Sequence, residues 1–215
     1  EMCIRDRFII ALDYLLEMAP DSPQASRWKS LREGIERNVR AHLWDVKRQK
    51  FIPHIYPEKS PIPEGFDELA IHYHGGTAIA IEAGLLSKDE IRTVNAQMLE
   101  NVRLSGMPSI GLTLYPVYPD GFFHGGMSKA YLYQNGGDWT WFGGRMIQQL
   151  VVNGMVEEAY AEIHPMIERV IQNDGFYEWY GKGGVPSGSG NFKGSAGVLS
   201  KAIELLRDWA EKNKS

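Results

Sequence analysis

The stretch Gly175 to Gly197, GFYEWYGKGGVPSGSGNFKGSAG, sets one carboxylate, Glu178, among Phe176, Tyr177, Trp179 and Tyr180. A glycine-rich loop follows, whose backbone can come close to a ligand. In an apolar aromatic cleft an ionised carboxylate loses hydration, its pKa tends to rise, and it becomes suited to act as a general base near neutral pH. Rings on either side also suit a sugar, whose C–H faces pack on them while its hydroxyls seek polar partners. The same run fits a packed surface corner with an exposed Glu equally well, and both readings stand at this point.

Outward from this loop, the chain alternates between two kinds of helix. Ala196 to Trp209 is largely apolar, as is Gly137 to Asn153 with Trp139, Trp141, Phe142, Met146, Ile147, Leu150 and Val151. Between the two, Val156, Ala159, Tyr160, Ile163, Ile167 and Val170 recur at helical spacing on a charged background, as a helix with one wet face would. Earlier, Phe8 to Ala19 is apolar on nearly every side, and Asp21-Ser22-Pro23 offers a cap and a first-turn proline for a helix that buries Trp28, Leu31, Ile35, Val39 and Leu43. Lys50 to Tyr56 reads as a short extended piece and Pro57 to Pro63 as a loop. Phe66 to Gly84 predicts a second apolar helix, weakened by Gly75-Gly76 and closed by a glycine. Ser87-Lys88-Asp89-Glu90 has capping-box spacing and opens a helix with Ile91, Val94, Met98 and Val102 on one side. Gly106 to Gly126 predicts a long loop with one short strand near Leu112 to Tyr118.

Seven helices, alternately buried and half-exposed, with long aromatic loops after every second one, predict an all-α toroid of helical hairpins. Inner helices would ring an axis, outer helices would shield them, and functional loops and short strands would gather at one face. No fixed-period self-similarity supports a solenoid of repeats, and no linker divides the chain.

The chain has 215 residues, 43% of them hydrophobic and 23% charged, with a net charge of -4. That balance is ordinary for a globular protein and offers no basic footprint for nucleic acid or anionic lipid. No apolar run is long enough to cross a bilayer, and Phe8 to Ala19 carries Asp13 and Glu17 and lacks the small-residue cleavage pattern of a signal peptide. Met2-Cys3-Ile4-Arg5-Asp6-Arg7 resembles the translation of a transposon end used in sequencing libraries, so residues 1–7 are expected to be foreign to the gene and residues 8–215 to carry the fold. The single cysteine goes with them, leaving no disulfide or cysteine-metal framework.

Tyr133-Gln134-Asn135-Gly136-Gly137-Asp138-Trp139 leading into an apolar helix, then the Glu178 stretch before a Gly/Ser loop and a last helix, is a combination that resembles the C-terminal half of the (α/α)6-barrel glycoside hydrolases. Amylo-1,6-glucosidases and processing α-glucosidases are the nearest in pattern, with trehalase and neutral invertase as relatives. The resemblance implies an exo-acting, inverting hydrolase of O-glycosidic bonds that needs no cofactor or metal and takes an oligosaccharide or glycoside. By position it makes Glu178 the general base. It also implies sugar contacts from Tyr133, Gln134, Asn135, Asp138, Trp139, Trp141, Tyr177 and Trp179; His124, in the aromatic loop Phe122-Phe123-His124-Gly125-Gly126, fits a further hydrogen-bond donor to substrate and a structural role equally well. The family acid sits in the loop before the sixth of twelve helices. Counting back from the last helix puts that loop just upstream of Phe8, so the chain alone is expected to show no turnover.

Other residues have alternative roles. Asp67 and Glu68, at the start of an apolar helix, could face the axis and complete a site but are expected to stabilise the helix N-terminus by its dipole, and Asp138 fits a sugar contact, an acid or a cap of the helix that follows it. His72 and His74 at i, i+2 would point to different faces of a helix, which disfavours a shared metal. Lys193 and Ser195 lack a base to make a nucleophile. An epimerase, an unsaturated-uronide hydrolase or lyase, and a non-catalytic carbohydrate-binding barrel are the competing readings. The enzymes among them would call for histidine bases or basic uronate clamps, of which the loops offer few.

Overall fold

The computed structural model describes residues 2–214, with side chains from Arg5 onward. The side chain of Cys3 therefore lies outside the described residues, as does part of the stretch expected to be foreign. The described residues form seven α-helices: α1 (Met2–Met18), α2 (Ala25–Leu43), α3 (His74–Glu82), α4 (Lys88–Ser105), α5 (Thr140–Val152), α6 (Val156–Asn173) and α7 (Lys193–Lys212). Two small antiparallel ribbons join them. One is β1 (Trp44–Asp45) with β2 (Lys50–Phe51), the other β3 (Trp179–Tyr180) with β4 (Pro186–Ser187).

The odd-numbered helices form one continuous wall, α1 against α3, α3 against α5 and α5 against α7, while α2 lies beside α1 and α6 beside both α5 and α7. Small and branched apolar residues make this wall possible. Every α3 residue from His74 to Ile81 is buried. Two glycines set the close approaches: a Cβ at Gly75 would meet the Phe142 ring at 2.8 Å, and one at Gly143 would collide with the end of Met166 and meet the Gly111 backbone nitrogen at 2.9 Å. Gly143→Ala is accordingly expected to cost about 1–3 kcal/mol through overpacking, measured by urea denaturation.

The outer helices each keep one buried side, but not with every residue expected: α2 buries Val39 and Leu43 and leaves Leu31 exposed, and α6 buries Ala159 and Ile163 and leaves Tyr160 exposed. Ile91, Val94 and Met98 of α4 are buried on one side. Both halves of the expected capping box form, the Ser87 hydroxyl accepting from Glu90 N and the Glu90 carboxylate from Ser87 N at 2.9 Å. Gly106 ends the helix in the left-handed conformation. Polar pairs tie these helices together: Arg40 of α2 to Glu90 at 2.6 Å, and Asn95 of α4 to Glu162 of α6 at 2.6 Å.

Several boundaries differ from expectation. The helix predicted over Phe66–Gly84 is three pieces: a 3-10 turn Glu68–Ala70, an extended step through His72, and α3. The extended step wins because His72 exchanges backbone hydrogen bonds with Tyr115, at 2.7 and 3.1 Å. Asp67 therefore precedes a 3-10 turn and makes no side-chain cap. His72 falls outside the helix, so its ring stacks with that of His74 at 5.9 Å instead of facing away. The strand expected over Leu112–Tyr118 is reduced to isolated bridges, Leu112 to Asp138 and Tyr115 to His72. Gln24, not Asp21 or Ser22, precedes α2, without a side-chain cap. α1 extends back to Met2, and α7 begins at Lys193 and not Ala196. At the two ends of the wall, α1 exposes Phe8, Tyr14 and Met18, and α7 exposes Ile203 and Trp209.

Candidate active site

The three long loops lie together because each enters an odd-numbered helix at the same end of the wall. The segment before α3 pairs with the loop before α5 through His72 and Tyr115, and the latter pairs with the loop before α7 through Asp138 and Tyr180. The Asp138–Tyr180 bridge is reciprocal, with N–H···O distances of 2.9 and 2.8 Å, and it fixes the strand that starts one residue after Glu178.

Glu178 is half-buried on this surface. Its backbone N–H donates to Ser189 O at 2.9 Å, and its carboxylate lies over Gly188, where a Cβ would collide with Oε2. Gly188 also has φ +72°, so both space and backbone demand glycine. The Tyr133 hydroxyl approaches Glu178 Oε1 at 3.4 Å. Tyr133 itself has φ +52°, an uncommon left-handed conformation for a bulky side chain. Its ring stands edge-on to Trp139 at 4.8 Å and to Trp179 at 6.2 Å, and its carbonyl accepts from Trp139 Nε1 at 3.2 Å. Burial first, then the charge of Glu178 and the hydrogen bond to it, raise the phenol pKa, which keeps Tyr133 a donor toward the carboxylate.

Of the residues singled out from the sequence, the structure thus gathers Glu178, Tyr133, Trp139 and Trp179. Gln134 is exposed at the rim beside them, its carbonyl taking the Thr113 hydroxyl at 2.9 Å. Tyr177 turns its ring toward Gly175, Gly190 and Tyr180, and its carbonyl receives Ser195 Oγ at 3.1 Å. Trp141 carries the guanidinium groups of Arg7 and Arg145 over its ring, at 4.8 and 4.5 Å from the centroid. His124 is exposed ahead of a 3-10 turn, and no hydrogen bond joins it to the Glu178 cluster among the described residues.

Asn135 and Asp138 differ most from their expected role as sugar contacts. Both are fully buried. The Asn135 amide accepts from Tyr118 N at 2.9 Å and donates to the carbonyls of Tyr118 and Lys129. The Asp138 carboxylate receives the Ser109 hydroxyl at 2.7–2.9 Å and faces Arg169 Nη1 at 2.8 Å, a charge contact off the hydrogen-bond direction. Arg169 also donates to Thr140 Oγ1 at 2.6 Å and lies 4.1 Å over the Tyr180 ring. These groups shape the loops from behind. Arg169, Ser109 and Thr140 carried no local signal, because each is one polar residue in an ordinary helix or turn whose partner comes from another part of the chain.

A second carboxylate, Glu68, is held by three donors: Tyr118 Oη at 2.6 Å, His54 Nδ1 at 2.7 Å and Tyr56 Oη at 2.8 Å. Burial opposes its charge, but the three hydrogen bonds together pull its pKa below the usual carboxylate value. It braces the loop layer and, given how fully its Oε1 is used, not a helix dipole. Among the described residues no group of three or more His, Cys, Asp or Glu could hold a metal ion.

An all-α wall of helical hairpins with its long loops and a half-buried carboxylate at one end has the architecture of a helical-hairpin barrel. The solved structures that it resembles share that fold. A GH63 mannosylglycerate hydrolase from Thermus thermophilus in complex with Tris and D-glycerate superposes with a TM-score of 0.62 at 16% identity, over 97% of this chain and 46% of that one. An uncharacterized conserved protein from the same organism gives 0.66 at 16% identity, over 97% and 46%. The GH63 mannosylglycerate hydrolase in complex with glucose gives 0.65 at 16% identity, over 97% and 45%. The chain thus spans about half the length of the structures it matches. No family model and no curated protein matches the chain.

Proposed function

We propose that this chain is the general-base half of a glycoside hydrolase acting on oligosaccharides or glycosides, with Glu178 activating the attacking water. The observation that carries this is the Glu178 carboxylate beside the Tyr133 hydroxyl, within an aromatic cluster at the loop end of the wall. Support comes from the fold, which is shared with hydrolase structures in complex with glucose or with Tris and D-glycerate. In the inverting mechanism two carboxyl groups stand about 6.5–9.5 Å apart. One protonates the leaving oxygen and the other deprotonates water on the opposite face of the sugar. Glu178 takes the second task, and a carboxyl group outside this chain takes the first. Trp139 and Trp179 back the sugar, Tyr133 and Gln134 offer polar contacts at the rim, and Asn135 and Asp138 fix the loops that present them. The same reading makes the enzyme exo-acting.

The test is hydrolysis of a panel of aryl glycosides and disaccharides by a polypeptide that joins this chain to the upstream half of the ring. Glu178→Gln is expected to lower turnover by about 10²–10⁴-fold with the fold retained, the range of a general base. A variant as active as its parent removes Glu178 from the mechanism. The 215-residue chain alone is expected to give no turnover; activity that vanishes with Glu178→Gln would place the acid within residues 8–215.

A further inference from the structure

Away from the Glu178 cluster, a cleft of about 800 Å³ opens between α4 and the β1–β2 ribbon, lined by Arg48, Lys50, His72, Gln97 and Asn101, with Glu100 at its edge. Lys50 is only 3% exposed. Its ammonium group donates to the Ile71 carbonyl and has no carboxylate within ion-pair distance among the described residues. The carboxylates nearby are already engaged, Asp45 by Arg48 at 2.8 Å and Glu100 by Arg103 at 2.6 Å, while Asp67 acts on Lys50 only at longer range. An amine so placed has lost its water without gaining a counter-charge, which is costly unless something supplies one. Burial, then the positive charge of Arg48, pulls the Lys50 amine down to about 8.

The polar walls are held in place by bonds within the protein. Gln97 Nε2 is anchored to Arg48 O at 2.9 Å, and His74 is anchored to Asn101 at 3.0 Å. Burial and the neighbouring Lys50 hold His72 down at about 4, with hydrogen bonding to Gln97 opposing, so near neutral pH the imidazole is an uncharged polar group. We propose that this cleft binds a small oxyanion, phosphate or the carboxylate of an acidic sugar, with Lys50 as its buried counter-ion and Arg48 closing over it from the rim. Arg48 has half its side chain in solvent, and the half-buried Asp45 that its guanidinium holds keeps the Arg48 backbone N–H at 2.9 Å when the side chain turns toward an anion. The cleft is separate from the proposed catalytic cluster, and the proposal stands whether or not Glu178 is a base.

Isothermal titration of the 215-residue chain with inorganic phosphate, and separately with glucuronate, tests this. Saturable binding in the millimolar range or tighter is expected for at least one of the two, and which one binds identifies the source of the oxyanion. Lys50→Met is expected to abolish it. Because removing a buried amine can disturb the fold, Arg48→Gln on the open rim serves as the second variant, with a roughly 3–10-fold weaker affinity expected, as for loss of one rim charge contact, and an unchanged melting temperature. Heats that do not saturate with either anion, or affinity that Arg48→Gln leaves unchanged, would overturn the proposal.

Discussion

Arg169→Met is expected to lower the unfolding free energy by about 3–5 kcal/mol, the usual consequence of removing one partner of a buried ion pair. The guanidinium is 5% exposed and Asp138 is wholly buried, so the substitution strands a carboxylate whose remaining partner is the Ser109 hydroxyl. It also removes the donor to Thr140 and the cation over Tyr180. The loss would be read as a lower urea midpoint with an unchanged slope. Arg169→Met combined with Asp138→Asn is expected to recover part of it, because the amide needs no counter-charge. Hydrogen exchange at the Tyr180 amide, which donates to Asp138 O at 2.8 Å, reports the same event locally and is expected to speed up. A cost below about 1 kcal/mol would mean that the loop before α7 is held by its ribbon alone.

Glu162→Gln is expected to stabilise the protein at pH 8 and to do almost nothing at pH 4. Glu162 lies between α4 and α6 with one oxygen bonded to Asn95 at 2.6 Å and the other, buried, without a partner. Burial pushes its carboxyl up to about 7 from 4.5, with Glu158 adding to the rise and the Asn95 bond opposing it. The folded protein therefore binds a proton that the unfolded chain releases between about pH 4.5 and 7. Stability falls across that window and stays low above it. A carboxyl moved from 4.5 to about 7 corresponds to about 3 kcal/mol at alkaline pH. Glutamine keeps the acceptor for Asn95 and has nothing to ionise, so its curve should lack the Glu162 share of the fall, while the buried Asp6, also pushed up to about 7, still contributes its own. Parallel curves for the two proteins from pH 4 to 9 would show that Glu162 titrates at its ordinary value.

Helix α4 was legible because its information is local. Period, capping box and glycine stop lie within a few residues of α4, and all of them formed. α6 kept its period through Pro165, which sits inside the helix at the loss of one backbone bond. The boundary at Phe66–Gly84 was not legible, since the extended His72 is selected by Tyr115, far along the chain. The same holds for the loops. The aromatic setting of Glu178 lies within its own stretch of sequence, but Asp138 beside a helix start looks alike whether it caps, binds sugar or pairs with Arg169. Only the arrival of α6 decides among the three. Burial of Asn135 depends likewise on Tyr118 and Lys129 closing over it.

Tyr133 holds its backbone in a region that glycine or asparagine occupies more comfortably, at an expense on the order of 1–3 kcal/mol. The side chain that relaxes this turn is therefore not the one that can offer a phenol to the neighbouring carboxylate. Any breeding of this polypeptide toward heat resistance would find position 133 an easy gain, and would give up the hydroxyl beside Glu178 in taking it.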